Sequence, residues 1–435
     1  MRERLERYFE FERLGTNWRT ETLAGVTTFV TMAYVAFLNP SILAEAGMPF
    51  QAVVAATCFS AALGSLLMGA FARYPIALAP GMGLNAYFAY TVVQGLRVPW
   101  QTALGAVFLS GAAFLVLALA GAARRIAEAI PQELYAAVAT GIGLFIAMIG
   151  LRNAGIIAAS PSTLVMLGNL RDRNTLLAIF GLALTSALLA WGVRGAMLLG
   201  ILITTAAGVI FGLVKWTPQS YHLGDIAATA GKLDAAAAAK LGLLEVVFVF
   251  LFVDVFDNLG TLVAVSKKAG LLDEKQKIPR LRRILLADAT ATLAGSLAGT
   301  STVVSYIESA AGVAVGGRSG VTAIVTGILF VAALFLAPLV GAVPPAATAP
   351  ALIVVGSLMM SHVAEIPWAT PGVAIPGFLT ILTIPLTFSI ATGLSFGFTA
   401  YALLKLARGE FRREDWLVYV LAALFVARFV YLGRG

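Results

Sequence analysis

The run from Leu243 to Ser266, LLEVVFVFLFVDVFDNLGTLVAVS, is long and apolar enough to cross a bilayer, yet Asp254, Asp257 and Asn258 sit near its middle. An ionisable side chain at the bilayer centre costs ~3 kcal/mol on insertion scales, so two of them require a compensating environment. On a helix, Asp254, Asp257, Asn258 and Thr261 fall at i, i+3, i+4 and i+7 and form one polar stripe. That stripe must face protein or water rather than lipid. Passage of a polar solute is the leading reason for a membrane helix to keep it.

The rest of the chain has the same character. Of 435 residues, 60% are apolar and 12% charged, the composition of a polytopic protein embedded in a lipid bilayer. The net charge of +8 is scattered between apolar blocks instead of being gathered in a basic arm, which argues against a nucleic-acid partner and for a role in membrane orientation. The single cysteine, Cys58, lies in an apolar run, which excludes a disulfide framework. His222 and His362 are isolated and lack ligand spacing, so no metal is expected. No Walker-type loop occurs, which argues against ATP-driven transport. The first twenty residues are charged and show no apolar core with a cleavage site, so no removable signal peptide is expected.

Apolar blocks set between Gly, Pro and charged punctuation predict spans near 22–44, 51–72, 76–96, 101–121, 133–151, 174–192 and 195–214. After a polar, Ala-rich linker at 215–242, a second set follows near 243–266, 284–300, 301–317, 321–341, 345–361, 372–386 and 387–406. The chain thus reads as an N-terminal segment (1–21), a first group of seven spans (22–214), the linker, a second group of seven (243–406) and a tail (407–435). The tail holds a last apolar block, Trp416 to Leu432, interrupted by Arg428, and its crossing of the membrane is left open. With this count, 21 Lys and Arg fall on the side of the N-terminus, including Arg124 and Arg125, and seven on the other side, including Lys215; two more lie in the tail. The positive-inside rule then puts both termini in the cytoplasm of a multi-pass protein of the cell (inner) membrane, and the linker outside.

An odd number of spans per half inserts the second half upside down relative to the first. The expected fold class is therefore an all-α membrane protein built as two inverted seven-helix repeats. Each half also breaks its third apolar block, at Ala79-Pro80-Gly81-Met82-Gly83 and at Gly299-Thr300-Ser301-Thr302, at matched distances from the start of the half. Interrupted segments at matched positions of inverted repeats point to a binding site near the midplane. Asn85 is expected to N-cap a half-helix running to Val93, and Ser305 to form a capping box with Glu308. Both roles are compatible with binding. Two half-helix N-termini beside the aspartate stripe would offer donors and acceptors to a planar heterocycle, whereas the acidic groups disfavour an anion. Asp288, in LLADATATLAG, is a further acid candidate, with solvation near a span end as the alternative. Glu133 and Glu365 sit at span edges, where solvated roles are the default.

Three runs, PGMGLNAYFAYTVV (80–93), FVDVFDNLGTLVAVSKKAGLLD (252–273) and GTSTVVSYIESAAGVAVGGRSG (299–320), closely resemble the AzgA-like purine permeases of the nucleobase:cation symporter-2 family. The match extends from residue 16 essentially to the C-terminus. The resemblance implies a core domain (spans 1–4 and 8–11), a gate domain (spans 5–7 and 12–14) and short antiparallel strands in spans 3 and 10. It implies proton-coupled uptake of adenine, guanine or hypoxanthine with an elevator-like motion, no cofactor beyond the proton gradient, and a tendency to dimerise through the gate. Carried over by position, Asp254 and Glu308 are the principal base-binding carboxylates, Gly83 and Asn85 the span-3 contributors and Asp257 a further acid. Glu308 and Asp288 are the proton-coupling candidates. An anion transporter or exchanger on the same inverted scaffold is the alternative. An intramembrane aspartyl protease would need facing aspartates, but Asp254 and Asp257 share one helix, so no catalytic residue is assigned.

Overall fold

The computed structural model describes residues 2–122, 130–214, 223–240, 243–274, 277–336, 343–410 and 415–431. Arg124, Arg125, Lys215 and His222, used in the charge and metal arguments, lie outside them, as do the side chain of Arg428 and the ends of the linker. Eight helices among the described residues are long and apolar enough to cross a membrane: Trp18–Ala44, Phe50–Ala72, Trp100–Leu119, Gln132–Asn153, Arg173–Ala190, Leu244–Ala269, Pro345–Glu365 and Ile390–Ala407. Shorter apolar helices cover Ala196–Ile210, Gly320–Ala333 and Pro371–Thr387. Leu281–Ala298 is as long as several of these but carries Arg282, Arg283 and Asp288.

Four short strands, β1 (Leu78–Pro80), β2 (Ile157–Ser160), β3 (Leu164–Leu167) and β4 (Val303–Ser305), form two antiparallel pairs. The β2–β3 hairpin was not expected from the sequence. The β1–β4 pair joins the two breaks, with Leu78 opposite Ser305, Ala79 opposite Val304 and Pro80 opposite Val303. Unwound backbone in an apolar interior must find partners, and here each break supplies them to the other. The Gly81 amide donates to the Thr302 carbonyl at 2.9 Å and the Tyr306 amide to the Ala77 carbonyl at 3.0 Å. The outer edges are satisfied by hydroxyls from flanking helices. Ser65 Oγ accepts from the Leu78 amide (3.0 Å) and donates to its carbonyl (3.2 Å). Thr292 Oγ1 treats Val303 the same way, at 3.2 and 2.9 Å. All four residues are fully buried.

This pairing predicts that Thr292→Val, which keeps the shape and removes the hydroxyl, orphans both polar groups of Val303. The cost is about 2–4 kcal/mol, read as a lowered thermal midpoint of the purified protein. An unchanged midpoint would show that the edge bonds contribute nothing.

The ribbon also corrects the expected caps. Gly81, not Asn85, precedes the helix Met82–Ala86, which winds on as a π-helix over Tyr87–Gly95, so Asn85 lies inside the first helical turns. Ser305 is the last residue of β4, its amide already engaged by Asn258, and Glu308 occupies the cap position of the helix Ser309–Ala314 without bonding its amides. Strand pairing between the halves claimed the residues that local spacing assigns to capping.

Helices pack in two groups. The helices Trp18–Ala44, Phe50–Ala72, Trp100–Leu119, Leu244–Ala269, Leu281–Ala298 and Gly320–Ala333 surround the ribbon as a core. Gln132–Asn153, Arg173–Ala190, Ala196–Ile210, Pro345–Met359, Pro371–Thr387 and Ile390–Ala407 form a second body, the gate. Within the core, Phe50–Ala72 and its π-helical end cross Gly320–Ala333 so closely that a Cβ on Gly320 would stand 2.0 Å from the Gly69 carbonyl oxygen. Glu21, which the sequence reading passed over, is fully buried. It accepts from the amides of Arg318, Ser319 and Thr322, capping Gly320–Ala333 from another helix. The described part of the linker is also built in: the Gly231 amide and Thr229 hydroxyl donate to the Leu297 and Ala298 carbonyls, satisfying the end of Leu281–Ala298.

Candidate functional site

Between core and gate lies a cavity of about 470 Å³. Its core wall combines polar groups, from Asp257 and Thr261 of the stripe, Ser305, Tyr306 and Glu308 and the backbone of Gly81–Leu84, with the apolar side chains of Phe252, Val253 and Phe256. Its gate wall is mostly apolar, with Val138, Ile142, Val355 and Met359, and turns polar at Tyr135, Ser361 and His362. Ala264, Ile307 and Ser361 are exposed at its rim, on the face where the Lys267–Lys268 end of Leu244–Ala269 emerges.

The opposite end is shut. The Arg152 guanidinium of the gate stacks over the Tyr90 ring of the core at 5.2 Å and over Phe388 at 6.0 Å. Thr91 Oγ1 donates to the Phe388 carbonyl, and Asn153 Nδ2 to the Tyr90 hydroxyl at 3.4 Å. Phe388 holds a left-handed backbone conformation (φ 51°) to reach this position. Tyr90 and Thr91 lie on the π-helix that continues from the first break, so the closed end and the cavity wall share one element. Long π-helical stretches are rare and concentrate at functional sites.

The six residues singled out from the sequence separate into two layers. Gly83, Asp257 and Glu308 line the cavity. Glu308 Oε1 accepts from the Tyr34 hydroxyl at 2.6 Å. Gly83 lies so close to Ile142 that a Cβ would stand 2.7 Å from its Cγ2, bringing bare backbone to the core–gate boundary. Asp254, Asn85 and Asp288 are fully buried and off the cavity wall. Behind that wall Asn258 is the hub. Its Nδ2 donates to Asp254 Oδ1 at 2.8 Å and to the Asp254 carbonyl at 3.0 Å, and its Oδ1 accepts from the Ser305 amide at 2.6 Å. The aspartate stripe is thereby tied to the second break. Among the described residues, Asp254 Oδ2 and both amide atoms of Asn85 have no hydrogen-bond partner, and the Asn258 amide lies beside the Asp288 carboxyl. Each such buried group costs about 1–3 kcal/mol, a burden that marks a place where a proton, water or ligand enters.

Sequence reasoning missed three contributors. Tyr34, the partner of Glu308, follows the turn at Ala33 that divides the first span, a break without Gly or Pro to signal it. Tyr135 drew no comment from the sequence, yet its hydroxyl stands 2.5 Å from where a Gly260 Cβ would be, an intimate core–gate contact. His362 read as a loop histidine; it belongs to the 3-10 turn Met360–Glu365 and lines the cavity.

A many-helix membrane body whose two broken segments pair beside a core–gate cavity defines a carrier of the inverted-repeat class. The chain belongs to the permease family Xan_ur_permease, whose model matches residues 19–396, and it is accordingly a multi-pass membrane transporter and not an enzyme. It is 53% identical over 430 residues to a putative permease of Methanocaldococcus jannaschii, covering 99% of each chain. It is 44% identical to the adenine permease AdeP of Escherichia coli, covering 98% of this chain and 96% of that one. To the guanine/hypoxanthine permease PbuG of Bacillus subtilis it is 46% identical, covering 98% and 100%. Among solved structures, the transmembrane domain of the cyanobacterial bicarbonate transporter BicA superposes with a TM-score of 0.63 at 15% identity, covering 93% and 97% of the two chains. At that identity the likeness speaks for the shared two-repeat fold alone.

Proposed function

We propose that the protein imports purine nucleobases across the cytoplasmic membrane by proton symport. The observation that carries this reading is Glu308, a carboxylate presented to the cavity at the second break, in a chain whose full-length relatives include adenine and guanine/hypoxanthine permeases. A purine offers N–H groups to carboxylates along one edge and ring acceptors to backbone amides, and its flat face suits the apolar gate wall. Asp257 and the Gly83 backbone complete the wall that meets the base. Asp254 and Asn85 hold unsatisfied atoms one layer behind, reached by substrate or proton as the core moves. Asp288, fully buried behind the wall, and Glu308 are the proton sites.

On a count of fourteen crossings, the excess of Lys and Arg supports both termini in the cytoplasm; the open rim then faces inward and the Arg152–Tyr90 closure faces out. Import then requires the core to slide past the gate in an elevator-like motion, breaking that closure and carrying Glu308 with it. No cofactor takes part, since the proton gradient supplies the energy, and two copies are expected to pair through their gates. The alternative of an anion transporter or exchanger finds no support beyond shared fold, because the carboxylates of Asp257 and Glu308 on the cavity wall repel anions.

Tritiated adenine, guanine and hypoxanthine uptake into proteoliposomes tests the reading. Uptake of at least one is expected to be saturable, competed by unlabelled bases and collapsed by an uncoupler. Flux indifferent to the proton gradient removes the coupling, and saturable bicarbonate flux without purine flux replaces the substrate.

A further inference from the structure

The gate wall holds one imidazole whose chemistry the core residues do not duplicate. His362 lines the cavity at the end of the helix Pro345–Glu365. Its Nδ1 lies 2.9 Å from Glu365 Oε1, one turn away, and its ring meets the Tyr135 ring edge-on with centroids 6.1 Å apart. In the Nδ1–H tautomer that a carboxylate beside Nδ1 favours, Nε2 carries the lone pair and is the acceptor left to meet a ligand. Asp257 of the core lines the same cavity as this ring. The other polar side chains of the gate wall, Tyr135 and Ser361, are hydroxyls, so His362 is the nitrogen acceptor that the gate presents to the far edge of a base bound to the core.

We propose that His362 is the gate-side binding residue that selects a free purine base, its Nε2 accepting the N–H of the imidazole edge while Glu365 and Tyr135 hold the ring in place. This rests on the nucleobase reading above. A base substituted at N9, as in a nucleoside, lacks that donor. Volume alone does not reject such a molecule, since about 470 Å³ falls within the ~300–1,000 Å³ of sites for drug-sized ligands. A site built around a hydrogen bond, by contrast, discriminates strongly against an analogue that cannot make it. Contact with the gate exists only while the core sits in the position described here, so His362 acts on the cytoplasmic side of the cycle.

The test is equilibrium binding to purified protein in nanodiscs, using whichever of adenine, guanine or hypoxanthine the unaltered protein binds, against its 9-methyl derivative. His362→Ala is expected to weaken the free base about tenfold, the worth of one hydrogen bond, and to leave the 9-methyl derivative unchanged. His362→Gln, which restores an acceptor, is expected to recover part of the loss, and its recovery separates lost recognition from lost folding. If His362→Ala binds base and derivative in the unaltered ratio, the assignment is overturned. If the unaltered protein binds none of the three bases, the nucleobase reading itself fails and takes this assignment with it.

Discussion

Glu308→Gln is expected to abolish proton-driven accumulation while the protein remains folded and inserted. The amide keeps the size of the carboxyl, and its oxygen can still accept from the Tyr34 hydroxyl that sits 2.6 Å from Oε1. What disappears is the negative charge facing the cavity and the capacity to carry a proton through the cycle. A hydrogen bond to a charged partner is worth about 1.5–3 kcal/mol, so base affinity is expected to fall on the order of 10- to 100-fold. Accumulation against a gradient is expected to vanish outright, since no titrating group replaces the carboxyl. Uptake and counterflow in the same vesicles separate the two losses, and accumulation at the unaltered level would remove Glu308 from the coupling. Asp254→Asn is expected to abolish uptake with insertion intact by a different route. An amide at 254 can still accept from Asn258 through Oδ1 and so leaves the tie to the Ser305 amide in place, while it removes the buried charge and puts an NH2 where the unpartnered Oδ2 stands.

The largest structural effect is expected from Gly320→Leu. At this crossing a Cβ would lie 2.0 Å from the Gly69 carbonyl oxygen and 2.8 Å from the Arg73 Cα, both backbone atoms that cannot rotate aside. The two helices must separate, and with them the clamp that Glu21 places on the start of Gly320–Ala333. Overpacking that displaces backbone and breaks a buried network falls among substitutions costing on the order of 4–5 kcal/mol. The measurable outcome is loss of a monodisperse peak in detergent or a collapse of the thermal midpoint. Gly224→Ala, where nothing lies within 4 Å of the added methyl, is the control expected to behave as the unaltered protein. A normal midpoint for Gly320→Leu would mean that the crossing is looser than described.

Much of this architecture is legible in the sequence because hydropathy and charge act over whole spans. Most expected blocks fall on observed helices, while 76–96 and 301–317 divide into β1 and β4 and the short helices that follow them, breaks that announce themselves through Pro80, Gly81 and Gly299. What escaped depends on contacts between residues far apart in the chain. Local spacing offered Ser305 and Glu308 as a capping box, yet the Ser305 amide belongs to Asn258, forty-seven residues earlier. Asn85 looked like a cap because nothing local reveals that Gly81 pairs with Thr302 across the molecule. The β2–β3 hairpin joins IAAS to LVML through residues 161–163, runs of four residues too short to register in a reading that looked for spans. His362 and Tyr135 acquire meaning only once the gate folds against Asp257 and Gly260. For the site, the sequence supplied the residue types, and the structure divided them into a wall of Gly83, Asp257 and Glu308 and a layer behind it of Asp254, Asn85 and Asp288.

The central claim is that a purine base binds between the core and the gate, against the paired breaks. A density map of the protein saturated with the base it transports tests this most directly. The account predicts a flat feature inside the cavity, one edge at Glu308 and its face along the gate helices Gln132–Asn153 and Pro345–Glu365. A map with the cavity filled only by side chains, or with the base bound elsewhere, would contradict it.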